Sequence, residues 1–226
     1  MFGAPFYVSR NNEKLKIVVT GAHPDDPETG CGGLIAKMTN EGHEVTIGYL
    51  TKGEAGIYGV SHEDAARIRT IEAKKACEIL KAKYFFLGQI DGSTVVNEEA
   101  YLQMSEFLKA EKPDLLFTHW PIDAHRDHRI CSILTYDAWL GMENRPNFYY
   151  YEVLTGEQTQ TFNPTDFVDI TSVIDIKHKA CFVHSSQNIK QYYPGDHGKM
   201  EEFRGMQGGY EHAEAFVAHT KNNSRF

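Results

Sequence analysis

The sequence predicts an α/β protein: a Rossmann-like, mostly parallel sheet with helices on both faces, folded as a single domain over residues 1–226. Three observations carry that expectation. Short β-branched runs alternate with helix-length amphipathic segments through the first half, the pattern of βαβ units. A chain of 226 residues with 41% apolar and 12% aromatic side chains is long enough to bury one sizeable core. No internal repeat or low-complexity linker divides it.

The elements follow in order. LKIVVTG (15–21) reads as a first strand, and helical spacing runs from Gly30 to Asn40. EVTIGYLT (44–51) is a second strand. HEDAARIRTIEAKKACEILK (62–81) is an amphipathic helix whose expected apolar face includes Ala66, Ile68, Ala73, Ala76, Ile79 and Leu80. YFFLG (84–88), NEEAYLQMSEFLKAEK (97–112) and DLLFTHW (114–120) continue as strand, helix, strand. NFYYYEVL and DFVDIT read as strands and VIDIKHKACFVHS as a helix. The Gly-, His- and Tyr-rich tail from Gln187 reads as structured loops.

Composition excludes some partners. Net charge is −8 with no block of basic residues, which argues against a nucleic-acid groove or an anionic membrane surface. No apolar run approaches a membrane span, and the opening segment has no core of signal-peptide length. Cys31, Cys77, Cys131 and Cys181 form no CxxC pair, so they read as reduced thiols of a cytoplasmic protein.

In parallel sheets ligands bind beyond the carboxyl ends of the strands. Two clusters fall there. In GAHPDDPETG (21–30), His23, Asp25, Asp26 and Glu28 crowd beside the core on a turn stiffened by Pro24 and Pro27. An imidazole and a carboxylate three residues apart suit a borderline cation such as zinc. The plain alternative is a solvated surface turn with an incidental histidine. In DAHRDHR (123–129), His125 and His128 have the spacing to face one way as a helix begins. Taken alone, this cluster also reads as a helix start where Asp127 favours the dipole.

Together, His23, Asp26 and His128 make three protein ligands and leave a fourth position for water, the arrangement of a catalytic zinc site. Bound zinc brings the pKa of its water to about 7. Asp25, beside the ligands but not needed as one, is placed to be the base. His125, its charged form favoured by Asp127, is placed to stabilise an oxyanion.

These residues resemble the LmbE-like (PIG-L) family of zinc-dependent N-deacetylases. His23–Glu28 matches its AHPDDxE motif, and Cys31-Gly32-Gly33 the CGG that follows. His125–His128 matches HxDH, with Arg126 where many members have proline. Arg69–Ala73 resembles the helical RxxEA element, and HSSQ (184–187) and AEAF (213–216) its C-terminal landmarks. The resemblance spans about 16–217. It implies His23, Asp26 and His128 as metal ligands, Asp25 as general base, and His125 supported by Asp127 at the oxyanion. It also implies Arg69 as a substrate contact, an N-acetylated amino sugar of the N-acetylglucosamine type as substrate, and trimeric or hexameric relatives. Zn2+ is the expected metal, and Fe2+ tolerates the same ligands.

Residue by residue, Arg69 and Glu72 are otherwise an ordinary i,i+3 helix pair. Glu28 is expected to brace ligands or loop amides. Gly30, Gly32 and Gly33 fit no nucleotide-loop pattern and are explained by close helix packing. His62, His178, His197 and His219 read as surface or packing residues, and His184 and His212 as candidates to line the cleft. The rival readings are a metallo-phosphoesterase, which needs more metal ligands than the sequence places, and a metal- or sugar-binding module without catalysis.

Overall fold

The computed structural model describes residues 14–153 and 158–219. Among the described residues, seven strands form one sheet: β1 (Lys16–Gly21), β2 (Glu44–Tyr49), β3 (Lys83–Phe86), β4 (Leu115–His119), β5 (Asn147–Tyr151), β6 (Asp166–Asp169) and β7 (Ala213–Ala218). Their order is β3-β2-β1-β4-β5-β7-β6. Strands β3 through β5 are parallel, and β7 runs antiparallel to both β5 and β6.

The central parallel strands β1, β2 and β4 are buried on both faces because their alternate residues feed two separate cores, whereas the edge strand β3 is largely exposed. Ile17 and Val19 of β1, with Leu115 and Phe117 of β4, point to helices α1 (Asp26–Asn40), α2 (His62–Leu80) and α5 (Ile174–Phe182). Val18 and Leu116 point the other way, to α3 (Glu98–Glu111) and α4 (Arg126–Leu140), where Met104, Phe107, Leu134 and Trp139 pack. The predicted fold class is therefore the observed one, with β7 as the antiparallel exception.

Three local expectations are corrected. Helix α1 starts at Asp26 rather than Gly30, so the acidic turn is itself a helix N-terminus. The buried face of α2 carries Arg69 and Glu72 beside Ala65, Ala73, Ala76, Cys77 and Leu80, while Ala66 and Ile68 are only half-buried. The tail is not loops: it holds α6 (Ile189–Tyr192), α7 (His197–Gly208) and β7. Helix α7 escaped hydrophobic periodicity because its buried positions are Glu201, Arg204 and Gly205.

Leu154 of the NFYYYEVL run lies outside the described residues. The tyrosine run stands on β5. Tyr151 is wholly buried and its hydroxyl donates to Thr20 O at 2.9 Å. A Cβ at Gly30 would sit 2.5 Å from the Tyr151 ring, so the glycine there answers to helix-on-sheet packing. All four cysteines are buried thiols without a disulfide. Among the described residues no helix is long and apolar enough to cross a membrane.

Candidate active site

The chain turns outward from β1 through β2 to β3 and then returns to the other side of β1 as β4. A crevice opens at the carboxyl ends of β1 and β4 where that order reverses. Both sequence clusters converge on it, from the β1–α1 turn and from the start of α4.

His23 and Asp26 share the turn. His23 N–H donates to Asp26 Oδ2 at 2.8 Å, and its ring Nδ1 lies 3.2 Å from the same oxygen. His128, in the first turn of α4, places Nε2 3.3 Å from Asp26 Oδ1. The far nitrogen of each ring faces carboxylates. His23 Nε2 lies 3.1 Å from Asp91 Oδ1 and 3.4 Å from Asp127 Oδ2, and His128 Nδ1 lies 3.1 Å from Asp123 Oδ2. This fixes which nitrogen of each ring turns to Asp26, the way carboxylates behind metal-binding histidines set tautomer and orientation. Three sets of side chains here offer ligand atoms within 4.8 Å of one another: His23, His125 and His128; Asp26, His119 and His128; His23, Asp91 and Asp127.

The surrounding charges decide protonation. Burial disfavours a charged His128, but Asp26 and Asp123 more than offset it and raise the ring to about 9. His23 is raised against its burial by Asp127 and Asp26. Asp26 is held well below the usual carboxylate range, chiefly by His128 against its own burial.

Asp25 stands beside this group, with a half-buried side chain and a left-handed backbone (φ 117°). Such a conformation in a non-glycine residue costs ~1–3 kcal/mol and has to be held by its surroundings. Burial pushes its carboxyl up to about 6, partly offset by Arg69. Arg69 is buried; its Nη2 lies 3.1 Å from Asp25 Oδ2 and also donates to Pro24 O. The guanidinium also packs against Gly53 and Gly56, where no Cβ would fit. Its direct partners are therefore the base candidate and the turn, although it also borders the cleft.

His125 caps α4, its Nδ1 accepting from Asp127 N–H at 3.3 Å, and its ring stacks on His128 with centroids 4.6 Å apart. Burial and the neighbouring His128 lower its pKa. The Asp127 carboxylate is turned away from it. That carboxylate faces His23 and accepts from Gly92 N–H (2.8 Å) and the Thr94 hydroxyl (2.6 Å). Glu28 is wholly buried, accepting from Tyr49 OH at 2.6 Å and from Asp25 N–H at 3.2 Å.

Sequence reasoning missed two residues of this group. His119 ends β4, stacks on His128 at 4.1 Å, and lies 3.4 Å from Asp26 Oδ2. Asp91 follows β3. The available signal was position alone: polar residues past the ends of parallel strands. Of the other histidines, His197 lines the cleft rather than the surface. His184 is buried behind Asp25 instead of lining the cleft, and His212 sits in the turn before β7. The cleft holds about 620 Å³, and its outer wall is made by Gln158, Gln187, Ile189, Tyr192 and Asp196.

The chain belongs to the PIG-L family: residues 18–139 match the family model described as GlcNAc-PI de-N-acetylase. It is 30% identical over 191 residues to the diacetylchitobiose deacetylase of Thermococcus kodakarensis, covering 78% of this chain and 71% of that one. It is 29% identical over 186 residues to a probable N-acetyl-α-D-glucosaminyl L-malate deacetylase 2 of Bacillus subtilis, covering 77% and 84%. Among solved structures, GalB of Pseudomonas putida, a 4-carboxy-2-hydroxymuconate hydratase, superposes with a TM-score of 0.83 at 22% identity over 94% of this chain and 99% of its own. That last likeness is one of fold.

Proposed function

We propose that the protein is a metal-dependent amide hydrolase that removes the N-acetyl group of an N-acetylglucosamine-type amino sugar or its conjugate, giving acetate and a free amine. The observation that carries this reading is Asp25: a carboxyl with a raised pKa, beside a converging His–Asp–His set, on the floor of a cleft of about 620 Å³. Clefts of roughly 300–1,000 Å³ take small-molecule ligands. The named relatives act on N-acetylated glucosamine compounds and support the substrate class.

His23, Asp26 and His128 would hold the metal. The donor set suits a divalent cation of borderline softness: both imidazoles flank the Asp26 carboxylate and are braced from behind, and the three residues are shared between two of the ligand sets above, His23 and His128 with His125, Asp26 and His128 with His119. When bound, Zn2+ or Fe2+ would polarise the acetyl carbonyl and make water more acidic. Asp25 accepts the proton of the attacking water and returns it to the departing amine. His125, at the cleft edge, donates to the developing oxyanion. Asp127 serves that reaction indirectly, by orienting His23. Arg69 holds Asp25 and Pro24 and contacts the sugar where it borders the cleft.

Four buried, unpaired thiols support a reducing compartment, and the cytoplasm is the proposed location. A single domain over 1–226 and a homo-oligomeric assembly, trimer or hexamer, complete the proposal; limited proteolysis and light scattering test them. The functional test is metal content together with acetate release from a panel of N-acetylglucosamine derivatives, for wild type and Asp25→Ala. About one metal per chain in both proteins, with acetate only from the wild type, is the expected result. A wild type that takes up neither zinc nor iron when resupplied overturns the reading.

A further inference from the structure

Of two sequence landmarks, RTIEA on α2 and HSSQ at 184–187, only Arg69 takes part in the chemistry above. The two landmarks meet behind Asp25. Its strained backbone is held from one side by Glu28, which accepts the Asp25 N–H at 3.2 Å. Glu28 in turn is fixed at Oε1, where Tyr49 OH donates at 2.6 Å and His184 Nε2 lies 3.2 Å away. His184 is wholly buried, and neither ring nitrogen makes a hydrogen bond. Its contact with Glu28 is therefore one of charge. Burial opposes a charged imidazole here, yet Glu28 and Asp25 raise its pKa.

The segment that carries His184 is clasped from α2. Glu72 is buried and accepts from Ser185 Oγ (3.0 Å), Ser186 N–H (2.8 Å) and Ser186 Oγ (2.6 Å). Glu72 lies one helical turn from Arg69, which holds Asp25 Oδ2 and Pro24 O. Gln187 donates to Gly56 O at 3.2 Å, and the chain passes on to Ile189 and Tyr192 of the cleft wall. Two buried carboxylates on two helices thus pin one short segment, and that segment meets the residue that holds Asp25.

We propose that His184 is a positioning residue for Asp25, acting through Glu28, and that the Glu72 clasp on Ser185 and Ser186 sets its place. The idea rests on the deacetylase reading for its kinetic consequence only. A buried imidazole that merely filled space would be replaceable by phenylalanine. One that steadies Glu28 by charge would not, because Glu28 freed of its partner no longer fixes the Asp25 amide and the base drifts. A misplacement of about 1 Å at a reacting group costs about 100-fold in rate.

The experiment compares His184→Phe, His184→Gln and Glu72→Gln with wild type. It measures kcat, KM, metal per chain, and hydrogen–deuterium exchange over residues 21–30. The expected result for His184→Phe is a loss of about 100-fold in kcat with KM and metal content unchanged and faster exchange at the Asp25 amide. His184→Gln, which keeps a polar side chain but no charge, should lose about as much as His184→Phe, and Glu72→Gln should shift both kcat and exchange in the same direction by about tenfold. A folded His184→Phe with wild-type kcat and wild-type exchange overturns the proposal, as does a loss of metal that accounts for the loss of rate. If His184→Phe does not fold, Glu72→Gln decides: wild-type kcat and exchange in that variant also overturn it. Should the wild type release no acetate from any substrate, the deacetylase reading fails, and the exchange data still decide the role of His184.

Discussion

Lys177 is 2% exposed, yet it carries a charge into the interior. Its Nζ lies 2.8 Å from Glu201 Oε1 and 2.7 Å from Glu214 Oε1, tying α5 to α7 and β7. Glu214 also accepts Gly33 N–H and Leu34 N–H at 2.8 Å, so the same network reaches α1. Replacing Lys177 with methionine keeps most of the volume and leaves two buried carboxylates without their cation. Breaking a buried pair in this way costs ~3–5 kcal/mol. At roughly 2–4 °C per kcal/mol for a chain of this size, Tm should fall by about 6–20 °C. Thermal unfolding of both proteins with metal present, at several pH values, is the assay. The pH adds a sign. Burial would raise the Glu201 carboxyl, but Lys177, His178 and Tyr193 bring it to about 2, below its ordinary value of 4.5. In the wild type that contribution is complete above about pH 4.5 and is lost as the pH falls toward 2. Without Lys177 burial dominates and raises the carboxyls, so the variant regains stability as the pH drops from 7 toward 4.5 and the gap narrows. A variant that melts with the wild type at pH 7, or a gap that widens on mild acidification, refutes the reasoning.

Other outcomes follow from the site. His125→Gln should lower kcat by about 10²–10³ while metal content stays at the wild-type level, read by acetate release and elemental analysis. Asp123→Asn and Asp127→Asn each remove a carboxylate behind a histidine and should weaken metal affinity by about 10–100-fold in a chelator competition. An Asp127→Asn enzyme that binds metal normally would show that this residue does not act through His23. Gly30→Ala drives a Cβ to 2.5 Å from the Tyr151 ring and should cost about 1–3 kcal/mol in a denaturant titration.

Much of the fold was legible because it is local. Ile17, Val18 and Val19 alternate between two cores, and the runs at 44–51 and 114–120 repeat the pattern, so strand and helix assignments through α4 needed no long-range information. The clustering of His23, Asp25 and Asp26 was legible for the same reason: one turn holds all three. Helix α7 was not, because Glu201 and Arg204 occupy its buried side and pair with Lys177 and Glu152. Nor was the place of β7 between β5 and β6, since a strand's partners across the sheet leave no local mark.

By itself, then, the sequence determined the parallel α/β half, the acidic turn at the end of β1 and the histidine pair at the start of α4. Each is written in side-chain period or in spacing along a few residues. Only the tertiary structure decided that His119 and Asp91 join that turn, that Asp127 faces His23 rather than its neighbour His125, and that His184 stands behind Asp25. Those placements come from strand order and helix docking, which bring together residues that no spacing relates.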